Sequence, residues 1–297
     1  MNKFNVITTF FNPAGYKSLL NNYYLFRRSL EKQGVELLTV EMTLGTKPQI
    51  SDAIHLNGNS VMWQKERLIN HAVSCLTSCD YFAWLDCDIL FSEKDWSKLA
   101  EEKLQSNDIV QLFKKVYYLP KGHLEYKGEH TVTVQSVIWQ NKIHKNWLDR
   151  RKNKQLPFSA PGFAWAARKS AFPNGIYDKN IIGSGDTFLV DCLLDSWDIH
   201  GYASKFNSKM KIDMYDWSKS LPRAKFDYIP VDIYHLWHGS LKNRRYMDRH
   251  DMIKKYDYDP RTDIKLINNV YEWNSNKHEF HYDIIQYFSD RKEDSDE

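Results

Sequence analysis

Of the 297 residues only four are cysteine, Cys75, Cys79, Cys87 and Cys192. Their spacing forms no Cys-x-x-Cys unit and no second pair, which excludes a disulfide scaffold and a cysteine zinc site and predicts reduced thiols. No stretch approaches the roughly 18 uninterrupted apolar residues that a membrane span needs, so a transmembrane segment is not expected. Met1 to Thr9 holds one lysine but neither an apolar core of about 7–15 residues nor a small-residue cleavage site, so no secretory signal is read and the cytoplasm is the expected compartment. An excess of charge is missing too. The 41 Lys and Arg nearly balance 38 Asp and Glu, net +3, and bulk electrostatics do not announce a nucleic-acid binder. There is also no internal repeat and no Pro/Gly/Ser linker long enough to divide the chain.

Aromatic rings, in contrast, are plentiful: 10 Trp, 18 Tyr and 15 Phe. Such rings commonly dominate cores, and the alternative is a surface or cleft that stacks flat ligands such as bases or sugars. At about 150 residues per domain the length allows two domains, but α/β chains of this size often fold as one. The first hundred residues alternate by type. Phe4 to Phe11 reads as a buried strand ended by Asn12-Pro13, and Tyr16 to Lys32 as a helix closed by Gly34. Val35 to Met42 reads as a strand, Lys65 to Leu76 as a helix and Tyr81 to Leu85 as a strand. This order predicts a parallel sheet with crossover helices.

Further on the pattern loosens. Strands are read at Ile109 to Phe113, Thr131 to Trp139, Gly162 to Arg168 and Val231 to Leu236. Helices are read at 187–194 and, charged and amphipathic, at Asn243 to Tyr256. Residues 291–297 read as a frayed acidic tail. The expected organisation is one domain over 1–290, more regular to about residue 115 and less regular from about 116 to 290.

Three groups carry chemistry. Asp86-Cys87-Asp88 follows a buried strand directly, and an extended backbone would point both carboxylates the same way. Open α/β sheets bind ligands outside the carboxyl ends of their strands, so these acids are placed to hold a hard cation against a phosphate; the alternative is a pair of turn-capping aspartates. Far downstream His235 and His238 stand at i and i+3, with Gly239 permitting a sharp turn. Imidazole with carboxylate suits Mn²⁺. Between them Asp186, in Gly183-Ser184-Gly185-Asp186, opens an apparent helix and is either an N-cap or an approachable general base.

Together these segments resemble the metal-dependent GT-A glycosyltransferases, most closely the inverting β-1,4-galactosyltransferase group and its chondroitin-synthase-like relatives. Asp86-Cys87-Asp88 is similar to the family's Asp-x-Asp, which implies Asp88 as metal ligand and Asp86 as a sugar or ribose contact. Trp63-Gln64-Lys65-Glu66-Arg67-Leu68-Ile69-Asn70 is similar to Phe-Asn-Arg-x-Lys-Leu-Leu-Asn and implies Lys65 and Arg67 near the nucleotide. Gly183-Ser184-Gly185-Asp186 falls on Gly-Gly-Glu-Asp, with Asp186 as base. His235-Leu236-Trp237-His238 falls on a Met/His-x-x-His element whose end residues reach the metal. Two departures stand out: Gly185 replaces the Glu before the base, and Lys179-Asn180-Ile181-Ile182 replaces a Trp-Gly-Trp lid.

The resemblance implies an α/β GT-A fold, with a mostly parallel central sheet flanked by helices, about 1–115 as the nucleotide-sugar-binding half and about 116–290 as the less regular acceptor and catalytic half. It implies a Mn²⁺ (or Mg²⁺) cofactor, a UDP-sugar donor and a glycan, glycolipid or other hydroxyl acceptor. Thr8, Phe10 and Asn12 would border the nucleotide. Phe163, Trp165 and Trp237 are candidate acceptor-stacking rings. The basic run Lys242-Asn243-Arg244-Arg245 with Arg249, Lys254 and Lys255 keeps open transfer to modified DNA. Two other readings are a non-catalytic nucleotide-sugar or carbohydrate binder and a two-metal phosphohydrolase, for which the acids are too few.

Overall fold

The computed structural model describes residues 4–196, 203–246 and 248–295. In chain order the elements are β1 (Phe4–Phe11), α1 (Lys17–Lys32), β2 (Leu37–Thr43), β3 (Ile54–Asn57), α2 (Lys65–Cys75), β4 (Tyr81–Leu85) and β5 (Ile89–Phe91). There follow α3 (Trp96–Leu104), β6 (Ile109–Gln111), β7 (Lys115–Tyr118), β8 (Val132–Ser136), α4 (Val137–Ile143), α5 (Trp147–Lys152), β9 (Ser159–Ala160) and β10 (Ala164–Arg168). The remainder comprises α6 (Gly185–Leu193), α7 (Ser208–Ser218), β11 (Phe226–Tyr228), β12 (Asp232–His235), α8 (Asp251–Lys255), β13 (Ile264–Ile267), β14 (Val270–Trp273) and α9 (His278–Asp290).

The central sheet has seven strands in the order β11-β6-β10-β4-β1-β2-β3. It is mostly parallel, and β10 alone runs antiparallel to its neighbours β4 and β6. Side chains alternate across it, as the pleat requires. Ile7, Trp84 and Trp165 enter one core layer beneath Leu68 and Ile69 of α2 and Leu189 and Val190 of α6. Val6, Leu85 and Ala166 enter the other, beneath Phe26 and Leu30 of α1 and Trp96 and Leu104 of α3. Helices therefore cover both faces, the layer plan expected for a parallel sheet buried on both sides. Among the described residues no helix is long and apolar enough to cross a membrane.

A second sheet, β5-β12-β7-β8-β9, gathers strands from residues 89 to 235. It matters because β5 begins immediately after Asp88 and pairs antiparallel with β12, setting Ile89 opposite His235. The register closes with the Leu236 amide donating to the Asp88 carbonyl at 2.8 Å. Residues 146 and 148 positions apart are thereby made neighbours by backbone pairing, before any side-chain chemistry acts.

Three expectations are revised. The stretch Thr131 to Trp139 is a strand only to Ser136, whose Oγ accepts from the Trp139 amide and starts α4 instead. The expected helix over Asn243 to Tyr256 is broken into a 3₁₀ turn, Leu241–Arg244, and the short α8, with Arg245 in the left-handed region between them (φ 48°); Met247 lies outside the described residues. The segment 291–295 is docked rather than frayed: Glu293 is 1% exposed, and residues 296–297 of the expected tail lie outside the described residues.

Candidate metal centre and active site

Asp86 and Asp88 sit in the turn between β4 and β5 and not on extended backbone. The two carboxylates consequently part company. Asp86 Oδ1 meets Lys65 Nζ at 2.6 Å, whereas Asp88 Oδ2 meets His238 Nε2 at 2.8 Å and lies 3.8 Å from His235 Nε2. The two imidazole Nε2 atoms are 3.3 Å apart. His235 is the last residue of β12, His238 follows three residues on, and Gly239, at φ +81°, turns the chain directly after it. Among the described residues this trio is the one group of acids, His and Cys whose ligand atoms lie within 4.8 Å of one another.

The donor inventory shows what the trio is built for. Arg244 Nη2 stands 2.9 Å from His238 Nε2, and a guanidinium only donates. Nε2 therefore accepts, and the ring proton belongs on Nδ1, which faces Glu293 Oε2 at 3.1 Å. That leaves Asp88 Oδ2 and His238 Nε2, two lone-pair atoms, facing each other at 2.8 Å. Asp88 Oδ1 is also buried with no hydrogen-bond partner. Burial pushes His235 down to about 3, against the pull of Asp88, so its ring is neutral near pH 7. Burial alone would raise Asp88, but the imidazoles, where they carry a second proton, and Arg244 hold its carboxyl well below the usual carboxylate range. A neutral His235, an imidazole nitrogen of His238 beside it and a carboxylate with an orphaned oxygen fit a divalent cation that accepts nitrogen and oxygen, as Mn²⁺ does.

Lys65, at the first turn of α2, joins the second half of the site. Its ammonium lies 3.1 Å from Asp186 Oδ2 as well as 2.6 Å from Asp86, so it couples the two carboxylates. Asp186 is not the N-cap of α6. That position is Ser184, in the left-handed region at φ 76° with no side-chain cap bond of its own, and its Oγ accepts from the buried Arg249. Asp186 Oδ2 faces Gly162 on the other side, where a Cβ would approach to 3.3 Å. Burial, with Asp88 and Asp186 adding to it and Lys65 opposing, pushes Asp86 up to about 6.

No family model matches the chain, and no curated protein matches it. Solved structures do. The chain is similar to the catalytic domain of Drosophila β1,4-galactosyltransferase 7 in complex with xylobiose, at 17% identity and TM-score 0.35 over 66% of this chain and 62% of that one. It is similar to glucosyl-3-phosphoglycerate synthase from Mycobacterium tuberculosis with UDP, Mn²⁺ and glucosyl-3-phosphoglycerate, at 11% identity and TM-score 0.44 over 92% and 87%. HddC from Yersinia pseudotuberculosis complexed with GMP-PN matches at 11% and TM-score 0.37 over 85% and 99%. The matched part spans about three fifths of the galactosyltransferase domain (62%).

The other expected site residues divide. Phe163 is at the centre's edge, in the left-handed region at φ 79°, its ring 5.4 Å from that of His235 and its carbonyl accepting from the Asp86 amide. Trp237 is half-buried beneath Lys121, whose Nζ lies 4.6 Å from the ring centroid. Trp165 is a correction: it is fully buried, stacks on Trp84 at 6.3 Å and donates to the Pro161 carbonyl, so it packs the core and offers no acceptor face. Thr8 and Phe10 are also buried. The Thr8 hydroxyl is spent on the Leu85 carbonyl, and Phe10 packs edge-on against Tyr23. The Asn12 side chain closes a local turn with the Tyr16 backbone. Arg67 reaches Asp178 at 3.2 Å and not the carboxylates of the site.

Several residues went unread in the sequence. Glu293, Arg244 and Tyr118 complete the surroundings of the histidines, with the Tyr118 ring 4.7 Å from His235. Glu66 is buried with its carboxyl against Gly185, where a Cβ would fall 2.2 Å from Oε1. Burial, opposed by Lys65, pushes that carboxyl up to about 8. The absence of a side chain at 185 is thus filled by a glutamate from α2.

Proposed function

We propose that the chain is a metal-dependent glycosyltransferase of the GT-A type. It moves a sugar from a nucleoside-diphosphate sugar, a UDP-sugar in the closest reading of the motifs, to an acceptor hydroxyl with inversion. The observation that carries this reading is the pairing of a nitrogen–oxygen cation site, Asp88, His235 and His238, with a carboxylate, Asp186, tied to the same turn through Lys65. Residues up to about 115 form the nucleotide-sugar-binding half, and those from about 116 to 290 form the acceptor and catalytic half.

Asp88, His235 and His238 would hold a divalent cation, which would supply Lewis-acid stabilisation of the leaving diphosphate. The chain's own groups do the rest. Asp186 accepts the proton of the acceptor hydroxyl while its oxygen bonds to the anomeric carbon and the bond to diphosphate breaks, a contribution of roughly 10²–10⁴-fold. Lys65 aims Asp186 and stands ready beside Asp86 for a ribose or phosphate oxygen. Phe163, pinned by its carbonyl to Asp86, walls the site.

A panel of nucleotide sugars with Mn²⁺, followed by thermal shift and by slow donor hydrolysis, tests the class and the donor together. Donor-dependent shifts and turnover that vanish in chelator are expected. Equal turnover without any cation overturns the proposal, and donor binding with neither hydrolysis nor transfer supports the non-catalytic reading instead. Transfer to DNA is less favoured because four of the six cations in the basic run are buried or paired, although Lys242 and Lys254 stay exposed. Arg244 and Arg249 of the basic run are 6% and 5% exposed, Arg245 pairs with Asp248 and Lys255 with Asp283.

A further inference from the structure

The segment 291–294 crosses the back of the metal centre. Asp294 accepts from the backbone amides of Lys17 and Ser18 at 2.9 and 2.7 Å, supplying the N-terminal capping that α1 lacks from its own residues. The Ser18 hydroxyl donates to the Glu293 carbonyl at 2.8 Å, and the Lys292 amide donates to the Tyr16 hydroxyl at 2.9 Å. Arg291 pairs with the Glu293 carboxylate while lying over Trp63, 5.7 Å from its ring centroid. The loop after the histidines makes room for this strap: a Cβ on Gly239 would fall 2.8 Å from Glu293 Cα. The strap is held at both ends, and between them Glu293 Oε2 meets His238 Nδ1.

We infer that this strap is part of the cation site, with Glu293 acting as a positioning residue that fixes the ring orientation and tautomer of His238. The inference rests on the cation reading above. Glu293 touches Nδ1, while Asp88, His235 and Arg244 all gather at Nε2. The ring stands between the glutamate and the ligand atoms, so Glu293 works through it. An acceptor held at Nδ1 keeps the proton there and leaves Nε2 unprotonated on the edge of the ring where Asp88 Oδ2 and His235 Nε2 gather. Carboxylates placed behind metal-bound imidazoles in this way typically change metal affinity about 10–100-fold.

The test is Mn²⁺ titration of the full chain, free ion read by electron paramagnetic resonance, for wild type, Asp88→Asn, Glu293→Gln and Asp294→Asn. Imidazole ¹⁵N shifts of the metal-free protein read the tautomer. Glu293→Gln is expected to weaken Mn²⁺ about 10–100-fold and to shift His238 away from the Nδ1-protonated form. Asp294→Asn, which keeps Glu293 but removes one of the two carboxylate acceptors at the strap's far end, is expected to give a smaller loss in the same direction, and it decides the matter if Glu293→Gln does not unfold cooperatively. Wild-type affinity in Glu293→Gln, or an unchanged tautomer, overturns the role of the strap. A wild type that binds no Mn²⁺, or binding that survives Asp88→Asn, overturns the cation site itself.

Discussion

Burial lowers the Lys65 ammonium, and the carboxyls of Asp186, Asp86 and Glu66 outweigh it and raise Lys65 well above its ordinary value. Asp186 keeps an ion-pair contact at 3.1 Å and is the base proposed for transfer. Asp186→Asn is expected to lower kcat by at least about 10²-fold, the low end for general-base catalysis, with donor affinity unchanged by calorimetry; retained turnover removes Asp186 from the reaction. Glu66 titrates inside the fold at about 8, against an ordinary 4.5. A carboxyl whose folded value is raised contributes stability that is complete below the ordinary value and is lost as pH rises through the folded one. Glu66→Gln should therefore melt close to wild type at pH 5 and above it at pH 9, and parallel melting curves across that window would contradict a buried, proton-holding Glu66.

Residue type made the ligands readable. Two histidines beside a glycine and two aspartates after a strand are uncommon enough to draw attention. Glu293 carried no such mark, because an acid in an acidic segment looks like a solvated one. Arg244 was hidden in the same way within a basic run.

At the scale of elements, the alternation of β1, α1, β2, α2 and β4 was legible because each buries one face or both, and burial writes a period into the sequence. Where backbone pairing decides the outcome, the period says little. Phe163 and Trp165 stand two apart, as strand neighbours on one face would. Phe163 precedes β10 with φ 79°, so one ring reaches His235 while the other enters the core against Trp84. The junction of α2 with α6 offers a direct probe of packing. A methyl at Gly185 would meet the Glu66 side chain at 2.2–2.9 Å, and Gly185→Ala is expected to cost about 1–3 kcal/mol by denaturant unfolding, in line with other overpacked sites. Combining it with Glu66→Ala should return much of that loss, and additive costs in the double variant would show that the two positions do not compete for the same space.

For the molecule as a whole, the aromatic richness resolves mostly into structure: Trp96, Trp147 and Trp165 are among the largest fully buried side chains, and Phe91 stacks on Trp96 at 4.1 Å. The plan of the central sheet followed from the order of elements; its antiparallel strand and the second sheet did not, since pairing between distant segments leaves no local trace. Binding at the centre should also be felt globally. A ligand at about 100 times its Kd adds roughly 2.7 kcal/mol to the native state. Mn²⁺ is thus expected to raise the melting temperature in a concentration-dependent way that Asp88→Asn abolishes, and a shift that persists in Asp88→Asn would place the ion elsewhere.

The strap also sets an order in time. The centre draws on residues 88, 235, 238 and 293, and the strap ends on α1 near the start of the described chain. Contacts between such distant segments carry the largest loop-closure entropy and form late. The sheet and its helices can assemble while the histidine loop is still open, so competence for the ion arrives only at the close of folding. During refolding, far-UV dichroism should recover before Mn²⁺ uptake, and the interval between the two measures how long the protein exists as a finished scaffold without a finished centre.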